Sequence, residues 1–357
     1  SQNILEKIKI YYQNGFYTPV YTKDKNGVEF DESIGAVSIV SNNFDITFGK
    51  FRSSLGPSLY SNLSLSHNIP ALNQIRMHFD YLNKIFFTFI IGDLYSGISD
   101  SIQYYDINRT KKLDIKVFNH RIDFKLNKNI RLGFYEQIIA LSNSASFSYF
   151  NPLQLYWSEQ HQRGDIDNLQ MGFDFDFITG SNRVYGSLLM DEWAPYYTFQ
   201  GDDDNDGLDD SRNWFATQIG LSKLFNLDIP YKMIPGKRKY QELKGLIKLE
   251  YSSAEPQTYI HKFEVNNPFH HGYPIGLWSG GDSIDKRLSL VLYFSDEINN
   301  NLIIDLSYQN TRIGNPKYEK GIKLLSGDNI KVRDLVYIKF QKAIFSNIDF
   351  NFKVGYY

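Results

Sequence analysis

Apolar and polar residues alternate strictly from residue 169 to residue 177. The apolar set comprises Leu169, Met171, Phe173, Phe175 and Phe177, and the polar set comprises Gln170, Gly172, Asp174 and Asp176. A repeat of two residues predicts a β-strand, because successive side chains of a strand point to opposite faces. A turn at residues 180–182 leads into a second such segment, residues 183–193. The resulting hairpin has large aromatic side chains on one face and carboxylates on the other.

Two kinds of fold would use this hairpin in opposite ways. A soluble sandwich would bury the aromatic face, whereas a transmembrane barrel would present it to lipid and the acids to a wet lumen. The same alternation recurs in about fifteen segments, and helical periodicity is nowhere sustained. The segments are residues 4–16, 34–40, 44–52, 74–81, 85–89, 113–126, 130–141, 169–177, 183–193, 214–225, 243–251, 288–294, 302–310, 332–344 and 348–356.

The connections between these segments alternate between short and long. The short turns are residues 41–43, 83–84, 127–129, 180–182, 297–300 and 345–347. The long connections are residues 18–33, 53–71, 95–112, 143–165, 194–212, 253–286 and 311–329. If each strand crosses once, the short turns share one end of a barrel and these long connections share the other; only residues 226–239 break the rule. Outer-membrane barrels sort their loops in this way, whereas soluble sandwiches and propellers do not.

The sequence therefore predicts an all-β fold, a transmembrane antiparallel up-and-down β-barrel of about 16–18 strands in the bacterial outer membrane. We expect residues 1–357 to form a single barrel domain, with residues 194–212 as an acidic extracellular loop insertion. If the N-terminus is periplasmic, the fifteenth strand would end outside the cell. Bacterial single-chain barrels usually have an even number of strands. At least one terminal strand is therefore expected to be missing from the sequence or from the count.

The amino-acid composition limits which partners and which chemical reactions the protein can be expected to have. The 38 Lys and Arg residues nearly balance the 40 Asp and Glu residues, so net charge gives no reason to expect nucleic acid as a partner. The absence of cysteine excludes disulfides and thiol chemistry. The longest apolar run, residues 85–91, is far shorter than the roughly 20 residues that a spanning helix needs.

Motifs for catalysis are not evident. The sequence has no nucleophile elbow, metal-binding His pair or phosphate-cradling glycine motif. Asp191 and Glu192 are neighbours on a predicted strand, so they point to opposite faces and cannot act together as an acid/base pair. We expect them to be rim acids that contact water or a lumen arginine. The protein is therefore not expected to be an enzyme.

Polar positions on the predicted strands indicate the character of the lumen. The lumen candidates are Arg76, Asp174, Asp176, Lys248 and Glu250. Such a lumen would suit a barrel that binds a polymer, and it would equally suit a porin-like transport channel, which is the alternative function.

Aromatic residues in the long connections are candidates for binding sugars. The candidates are Trp193, Tyr196, Tyr197, Tyr273 and Trp278. Their rings could stack on sugar faces, or they could be girdle residues at the membrane interface. Tyr149, Trp157 and Tyr259 lie in long connections too, so all these aromatic side chains are expected to crowd above the mouth of the barrel.

Several short segments also match a known family in order along the chain. They are Gly49-Lys50-Phe51-Arg52 with Leu55-Gly56-Pro57, Phe150-Asn151-Pro152, Asp167-Asn168, the run from Val184 to Glu192, Leu249-Glu250-Tyr251, and the run from Pro256 to His261. This set resembles the Wzi-like capsule-assembly barrels and the related RemB-type outer-membrane proteins of gliding bacteria. The resemblance implies a non-enzymatic outer-membrane barrel that acts in surface polysaccharide attachment or surface motility. The implied partners are outer-membrane lipid, surface polysaccharide, and other outer-membrane or motility proteins.

An acidic loop in the long connection 194–212 has the register of a calcium-binding loop. Asp202, Asp204 and Asp206 stand at positions one, three and five, Gly207 provides the sharp turn, and the Leu208 carbonyl and Asp210 follow at positions seven and nine. Position twelve is Asn213 rather than a bidentate Glu, so the affinity should be weak. The alternative is a solvated acidic loop that the repulsion of its charges keeps extended.

We predict that one calcium ion binds at millimolar concentration to this loop. Calorimetry should detect the binding, and replacing Asp204 and Asp206 by Ala should abolish it, because two hard oxygen ligands are lost. A wild-type protein that binds no calcium at millimolar concentration would show that the loop is only a solvated acidic run.

Overall fold

The computed structural model describes residues 7–17, 29–99, 112–191, 214–226, 240–296, 302–319, 321–345 and 348–356. Fifteen long strands form one antiparallel sheet in which each strand pairs with the next one along the chain. They are β1 (Lys7–Tyr17), β2 (Glu29–Val40), β3 (Phe44–Phe51), β4 (Leu72–Tyr81), β5 (Ile85–Ser99), β6 (Lys112–Lys125), β7 (Ile130–Leu141), β8 (Asn168–Thr179), β9 (Asn182–Asp191), β10 (Trp214–Asn226), β11 (Tyr240–Ala254), β14 (Ser283–Asp296), β15 (Leu302–Ile313), β16 (Lys331–Phe345) and β17 (Ile348–Tyr356). Two short strands, β12 (Phe269–His270) and β13 (Tyr273–Pro274), form a separate hairpin.

The two faces of the sheet differ as the alternation predicts. On β8, Phe177 is exposed on the outer face, whereas Asp174 is only 3% exposed on the inner face. Exposed apolar side chains continue around the outer face, including Val37, Ile39, Phe48, Phe79, Phe134, Ile219, Leu221, Leu249, Leu288, Leu306, Val336 and Phe340. An apolar outer face and a polar inner face are typical of an outer-membrane barrel. The predicted fold class is confirmed.

The strand count from the sequence also agrees with the structure. The described residues contain the fifteen long strands that the alternation predicts. The further strands that would bring the barrel to 16–18 stay a prediction. Among the helices of the described residues, none is long and apolar enough to cross a bilayer.

The connection between β3 and β4, residues 52–71, lies on the inner side of the sheet. Its backbone carbonyl oxygens accept hydrogen bonds from side chains of three separate strands. Gln137 of β7 donates to Ser64, Arg183 of β9 donates to Pro57, and Gln218 of β10 donates to Ser61, at 3.2, 2.7 and 2.8 Å. The connection therefore extends from β3 and β4 across the inner face to the strands between β7 and β10.

The connection between β11 and β14, residues 255–282, packs against the first one. The Ser66 amide donates to the Ile275 carbonyl at 2.7 Å, and the Tyr259 hydroxyl donates to the Leu63 carbonyl at 2.7 Å. A side chain at Gly276 would not fit, because its Cβ would lie 1.9 Å from the Leu63 carbonyl oxygen. We call residues 52–71 and 255–282 together the plug. The plug contains β12, β13 and a 3₁₀ turn at Glu264–Asn266.

Apolar contacts between the plug and the upper inner wall form the interior core. One cluster joins Leu65, Ile69 and Ile275 of the plug to wall residues Leu72, Ile90, Leu94, Ile115, Val117 and Ile139. A second joins Leu63, Tyr259 and Leu277 of the plug to wall residues Leu189, Ala216 and Ala254. Burial of this apolar surface favours the folded plug by roughly 25 cal/mol per Å².

Asp191 is not the rim acid that the sequence suggested. It is fully buried and accepts hydrogen bonds from the Gln170 side chain at 2.9 Å and from the Tyr259 backbone amide at 2.7 Å. Tyr259 has a φ of 65°, a left-handed conformation that is unfavourable for a bulky residue. The carboxylate therefore helps to hold a strained residue of the plug against the wall.

The connection between β7 and β8, residues 142–167, packs on the outer face of the sheet. It contains a 3₁₀ turn at Phe147–Phe150 and the helix α1 (Tyr156–Gln162). Tyr149 is buried there, and Trp157 packs against the same apolar cluster as Tyr149. Tyr259 is buried in the plug. The expected crowd of exposed aromatic side chains above the mouth is therefore wrong for these three residues, because each packs against the sheet.

Two histidines are buried in the plug. Burial lowers the pKa of His261 to about 4 and that of His270 to about 3. His270 Nδ1 accepts a hydrogen bond from the Tyr95 backbone amide at 3.1 Å, which requires that nitrogen to be unprotonated. In the unfolded chain a histidine has a pKa near 6.5. The unfolded state therefore binds more protons than the folded state below about pH 6.5, and the protein loses stability as the pH falls.

We predict that, when the pH falls from 7.5 to 5, His270 reduces the free energy of unfolding by about 2 kcal/mol. At pH 5 the solution is 1.5 pH units below the pKa of the unfolded histidine, and each unit corresponds to roughly 1.4 kcal/mol. The temperature at which the protein loses its fast-migrating form on a gel measures this effect. His270→Gln should reduce the drop in that temperature, whereas the control His67→Gln should not, since His67 is exposed in the same plug. An identical drop in all three proteins would contradict the prediction.

Candidate functional site

A cleft of about 260 Å³ lies between the plug and the inner faces of β14 to β16. Its lining residues are Asn68, Tyr273, Pro274, Trp278, Arg287, Gln309 and Arg333. The wall residues lie near the strand ends that join the long connections. In an outer-membrane barrel this is the extracellular end.

Trp278 is the aromatic platform of the cleft and is partly exposed. The plug positions its backbone, because the Trp278 amide donates to Ser61 Oγ at 2.9 Å. The guanidinium carbons of Arg287 and Arg333 lie 5.6 and 5.7 Å from the centre of the ring. These distances are within the range of cation–π interaction.

Asp285 holds this arrangement together from the wall. One of its oxygens accepts hydrogen bonds from Trp278 Nε1 at 3.1 Å and from Arg287 Nε at 2.7 Å. The other accepts from Gln309 Nε2 at 2.8 Å and from Thr311 Oγ1 at 2.7 Å. A buried carboxylate with four donors fixes the rotamers of its partners, so the cleft is preorganised.

The wall beside the cleft contains two of the predicted lumen residues. Lys248 Nζ lies 5.0 Å from the ring centre of Tyr60, and the Arg287 guanidinium lies 4.9 Å from it. Burial raises the pKa of Tyr60 to about 12, so its hydroxyl remains protonated at neutral pH. Glu250 accepts hydrogen bonds from Ser58 Oγ at 2.7 Å and from the Tyr185 hydroxyl.

The other three predicted lumen residues lie farther from the cleft. Asp174 pairs with Arg121, and Asp176 accepts two hydrogen bonds from Arg183 at 2.8 and 2.9 Å. Both acids line an inner cavity of about 290 Å³. Arg76 lies 3.6 Å from Asp45 and lines a cavity of about 610 Å³ along β2 to β4. That cavity reaches the turn at residues 41–43, the periplasmic end of the barrel.

The structure brings together two of the five aromatic residues predicted to bind sugar. Tyr273 and Trp278 share the cleft. Trp193, Tyr196 and Tyr197 lie outside the described residues, as do the acidic residues Asp202, Asp204, Asp206 and Asp210 and the Leu208 carbonyl. Within the described ranges, no group of three acidic or histidine side chains is placed to bind a metal ion. Calcium therefore stays a prediction.

Four polar residues of the cleft are not among the site residues predicted from the sequence. They are Asn68, Arg287, Gln309 and Arg333. The alternation of polar and apolar residues could have identified the two arginines of the wall. It places Arg287 and Arg333 on inner faces, within a few residues of the long connections. Their convergence on Trp278 depends on the path of the plug, which has no periodic pattern.

The cleft combines three chemical features. It offers the face of an indole, amide groups on Asn68 and Gln309, and the guanidinium groups of Arg287 and Arg333. An aromatic face binds flat apolar surfaces, amides bind hydroxyl groups, and guanidinium groups bind carboxylates. The arrangement therefore suits a ligand that has both an apolar face and many hydroxyl groups.

Comparison with known structures shows the fold. The chain is similar to Wzi of Escherichia coli, described as an outer membrane protein involved in group 1 capsule assembly and as a carbohydrate binding β-barrel, with a TM-score of 0.57 and 15% identity over 93% of this chain and 67% of that one. It also matches OccK8 (OprE) of Pseudomonas aeruginosa, with a TM-score of 0.40 and 8% identity over 90% of this chain and 75% of that one. No curated protein sequence matches the chain.

The match to one protein family extends over nearly the whole chain. The family described as capsule assembly protein Wzi matches residues 6–356. The predicted location in the bacterial outer membrane is thereby confirmed. The relation to RemB-type proteins stays a prediction. Because the match extends over nearly every residue, the chain belongs to the Wzi family of capsule assembly proteins.

Proposed function

We propose that the protein binds and retains surface polysaccharide at the extracellular end of the barrel, and that the cleft around Trp278 is the binding site. The main support for this proposal is the partly exposed indole ring of Trp278, which Ser61 and Asp285 hold beside two guanidinium groups. Sugar rings have apolar faces that stack on aromatic rings, and their hydroxyl groups bind amides.

The family relation supports a role in capsule assembly. The E. coli relative is a carbohydrate binding barrel, and this chain has the same fold and belongs to the same family. The residues of the cleft supply the chemistry that this function needs, because they place polar donors around one aromatic platform. Binding to surface polysaccharide would attach the polymer to the cell without any catalytic step.

The charges of the cleft favour an acidic polysaccharide. The guanidinium groups of Arg287 and Arg333 both flank the ring of Trp278, and the Arg333 side chain is exposed to solvent at the rim of the cleft. A guanidinium group at such a rim can form two parallel hydrogen bonds to a carboxylate of the polymer. The cleft would therefore prefer a sugar unit that carries a carboxylate next to the stacked ring.

The plug supports retention over transport. Hydrogen bonds join residues 52–71 to strands β7, β9 and β10, and two apolar clusters pack the plug against the upper wall. A diffusion channel needs a continuous aqueous path, which packing of this kind obstructs. A porin-like channel is therefore the less favoured function.

We predict that Trp278→Ala weakens the binding of surface polysaccharide, purified from the bacterium that carries the protein, by about tenfold. The loss of stacking corresponds to roughly 1.4 kcal/mol. Calorimetry with the detergent-purified barrel measures the affinity. Phe263→Ala is the matched control, because Phe263 is an exposed ring of the same plug with Lys262 near its face at 5.5 Å, but it lies outside the cleft.

The same assay tests the preference for acidic sugars. Arg333→Gln should weaken binding and reduce its dependence on salt, since one charge–charge contact is removed. Unchanged affinity in both cleft variants, with both proteins still migrating as folded barrels on an unboiled gel, would exclude the cleft as the binding site.

We also predict that the purified wild-type barrel shows no steady ion conductance in a planar bilayer. Replacing residues 255–282 by a short Gly-Ser linker should produce conductance, because one of the two segments of the plug is then removed from the lumen. A steady wild-type conductance, together with unchanged polysaccharide binding in Trp278→Ala, would instead assign the protein to the porin-like channels.

A further inference from the structure

The connection between β7 and β8 leaves several large apolar side chains without contacts on one side. Residues 146–163, which we call the outer cover, include the 3₁₀ turn and α1. Phe147 is 89% exposed, Leu153 is 82% exposed and Leu155 is 64% exposed. These side chains lie on a segment whose opposite side packs firmly against β6, β7 and β8.

The contacts of the outer cover fix its height on the wall. The Tyr156 backbone amide donates to Glu136 Oε2 at 2.9 Å, and the Tyr156 ring stacks on His120 with the ring centres 4.3 Å apart. The ring centres of Phe150 and Phe118 are 5.1 Å apart. His120, Glu136 and Phe118 all belong to the outer faces of β6 and β7.

These anchor points lie within the apolar band of the barrel. Ile130 is near the periplasmic end of β7 and pairs with Phe177 of β8, and Glu136 lies six residues farther along. At about 3.3 Å per residue and a strand tilt of about 40°, Glu136 is roughly 15 Å above Ile130. The lipid-facing band of such barrels is about 25 Å tall. The outer cover is therefore anchored below the upper edge of this band.

The chemistry of the wall under the cover agrees with this depth. His120 and Glu136 form an outward-facing pair at 2.9 Å with side chains only 13% and 10% exposed. Apolar side chains flank the pair on the same outer face, with Phe134 on one side and Ile138 on the other. An uncovered pair of this kind facing acyl chains would be costly. Tyr156 of the outer cover shields the pair and adds a hydrogen bond.

We propose that the outer cover is embedded in the outer leaflet of the outer membrane, with Phe147, Leu153 and Leu155 in contact with lipid acyl chains. The connection is thus a lipid-binding element of the barrel wall and not an extracellular loop. The exposed side chains continue the apolar outer face of β7 and β8, which already faces lipid. Two charged residues of the segment have partners in or next to it: Glu159 accepts a hydrogen bond from Ser146 Oγ at 2.7 Å, and Arg163 lies 3.3 Å from Asp167.

Single-cysteine labelling tests this proposal cleanly, because the chain has no cysteine. Leu153→Cys is labelled with the fluorophore NBD, and the protein is reconstituted into phosphatidylcholine vesicles with and without brominated acyl chains. Phe134→Cys is the control on the lipid-facing wall, and Phe263→Cys is the control in the plug. The two native side chains are similarly exposed, at 44% and 46%. Phe147→Cys provides a second test position.

Brominated lipid should quench NBD at position 153 as strongly as at position 134, and iodide in the water should have little effect at either position. Position 263 should show the reverse. Strong quenching by iodide at positions 147 and 153, without quenching by brominated lipid, would overturn the proposal and place the segment in water. Protection from both quenchers, with a dimer detected by crosslinking, would overturn it as well and assign the surface to a protein contact.

Discussion

Polar side chains on the inner faces of the strands need hydrogen-bond partners inside the barrel. The outer faces contact lipid, and the alternation of a strand directs every second side chain inward. In this protein the plug supplies many of those partners. Gln137, Arg183 and Gln218 donate to backbone carbonyl groups of residues 52–71, and Asp191 accepts from the backbone of Tyr259. The wall thus determines where the plug lies, and the plug in turn determines where Trp278 lies.

The same constraint operates in reverse on the outer face. His120 and Glu136 are polar residues on a lipid-facing surface, and the chain covers them with its own Tyr156. Inside the barrel, the long connections provide hydrogen-bond partners for polar side chains of the wall. Outside it, a long connection covers the polar pair His120 and Glu136 in an otherwise apolar surface. In both places a long connection is attached to the barrel by hydrogen bonds to specific wall residues, which explains how irregular segments acquire fixed positions.

The strands could be predicted from the sequence because their signal is local. The alternation in residues 169–177 is visible without knowledge of any other part of the chain, and it gives the correct outer and inner faces. The connections have no such period. Asp191 illustrates the limit, because its partners Gln170 and Tyr259 lie 21 and 68 residues away and only the folded barrel brings them together.

In the candidate site, too, some residues could be predicted from the sequence and others could not. Aromatic chemistry alone was enough to select Tyr273 and Trp278, whereas Arg333 is 55 residues from Trp278 and approaches its ring only through the pairing of β14, β15 and β16. The short segments that carry the family resemblance also meet in space. Pro57 contacts Arg183, next to the run that starts at Val184, and Ser58 contacts Glu250.

We infer that the plug is a fixed part of the barrel and presents the binding surface. Hydrogen–deuterium exchange of the purified barrel, with and without its surface polysaccharide, tests both halves of this claim in one measurement. Without polysaccharide, the amides of Ser66 and Tyr259 should exchange as slowly as strand amides, because each donates to a buried acceptor. With polysaccharide, further protection should appear in residues 273–278. Free exchange of the plug, or protection by polysaccharide only elsewhere on the protein, would contradict the claim.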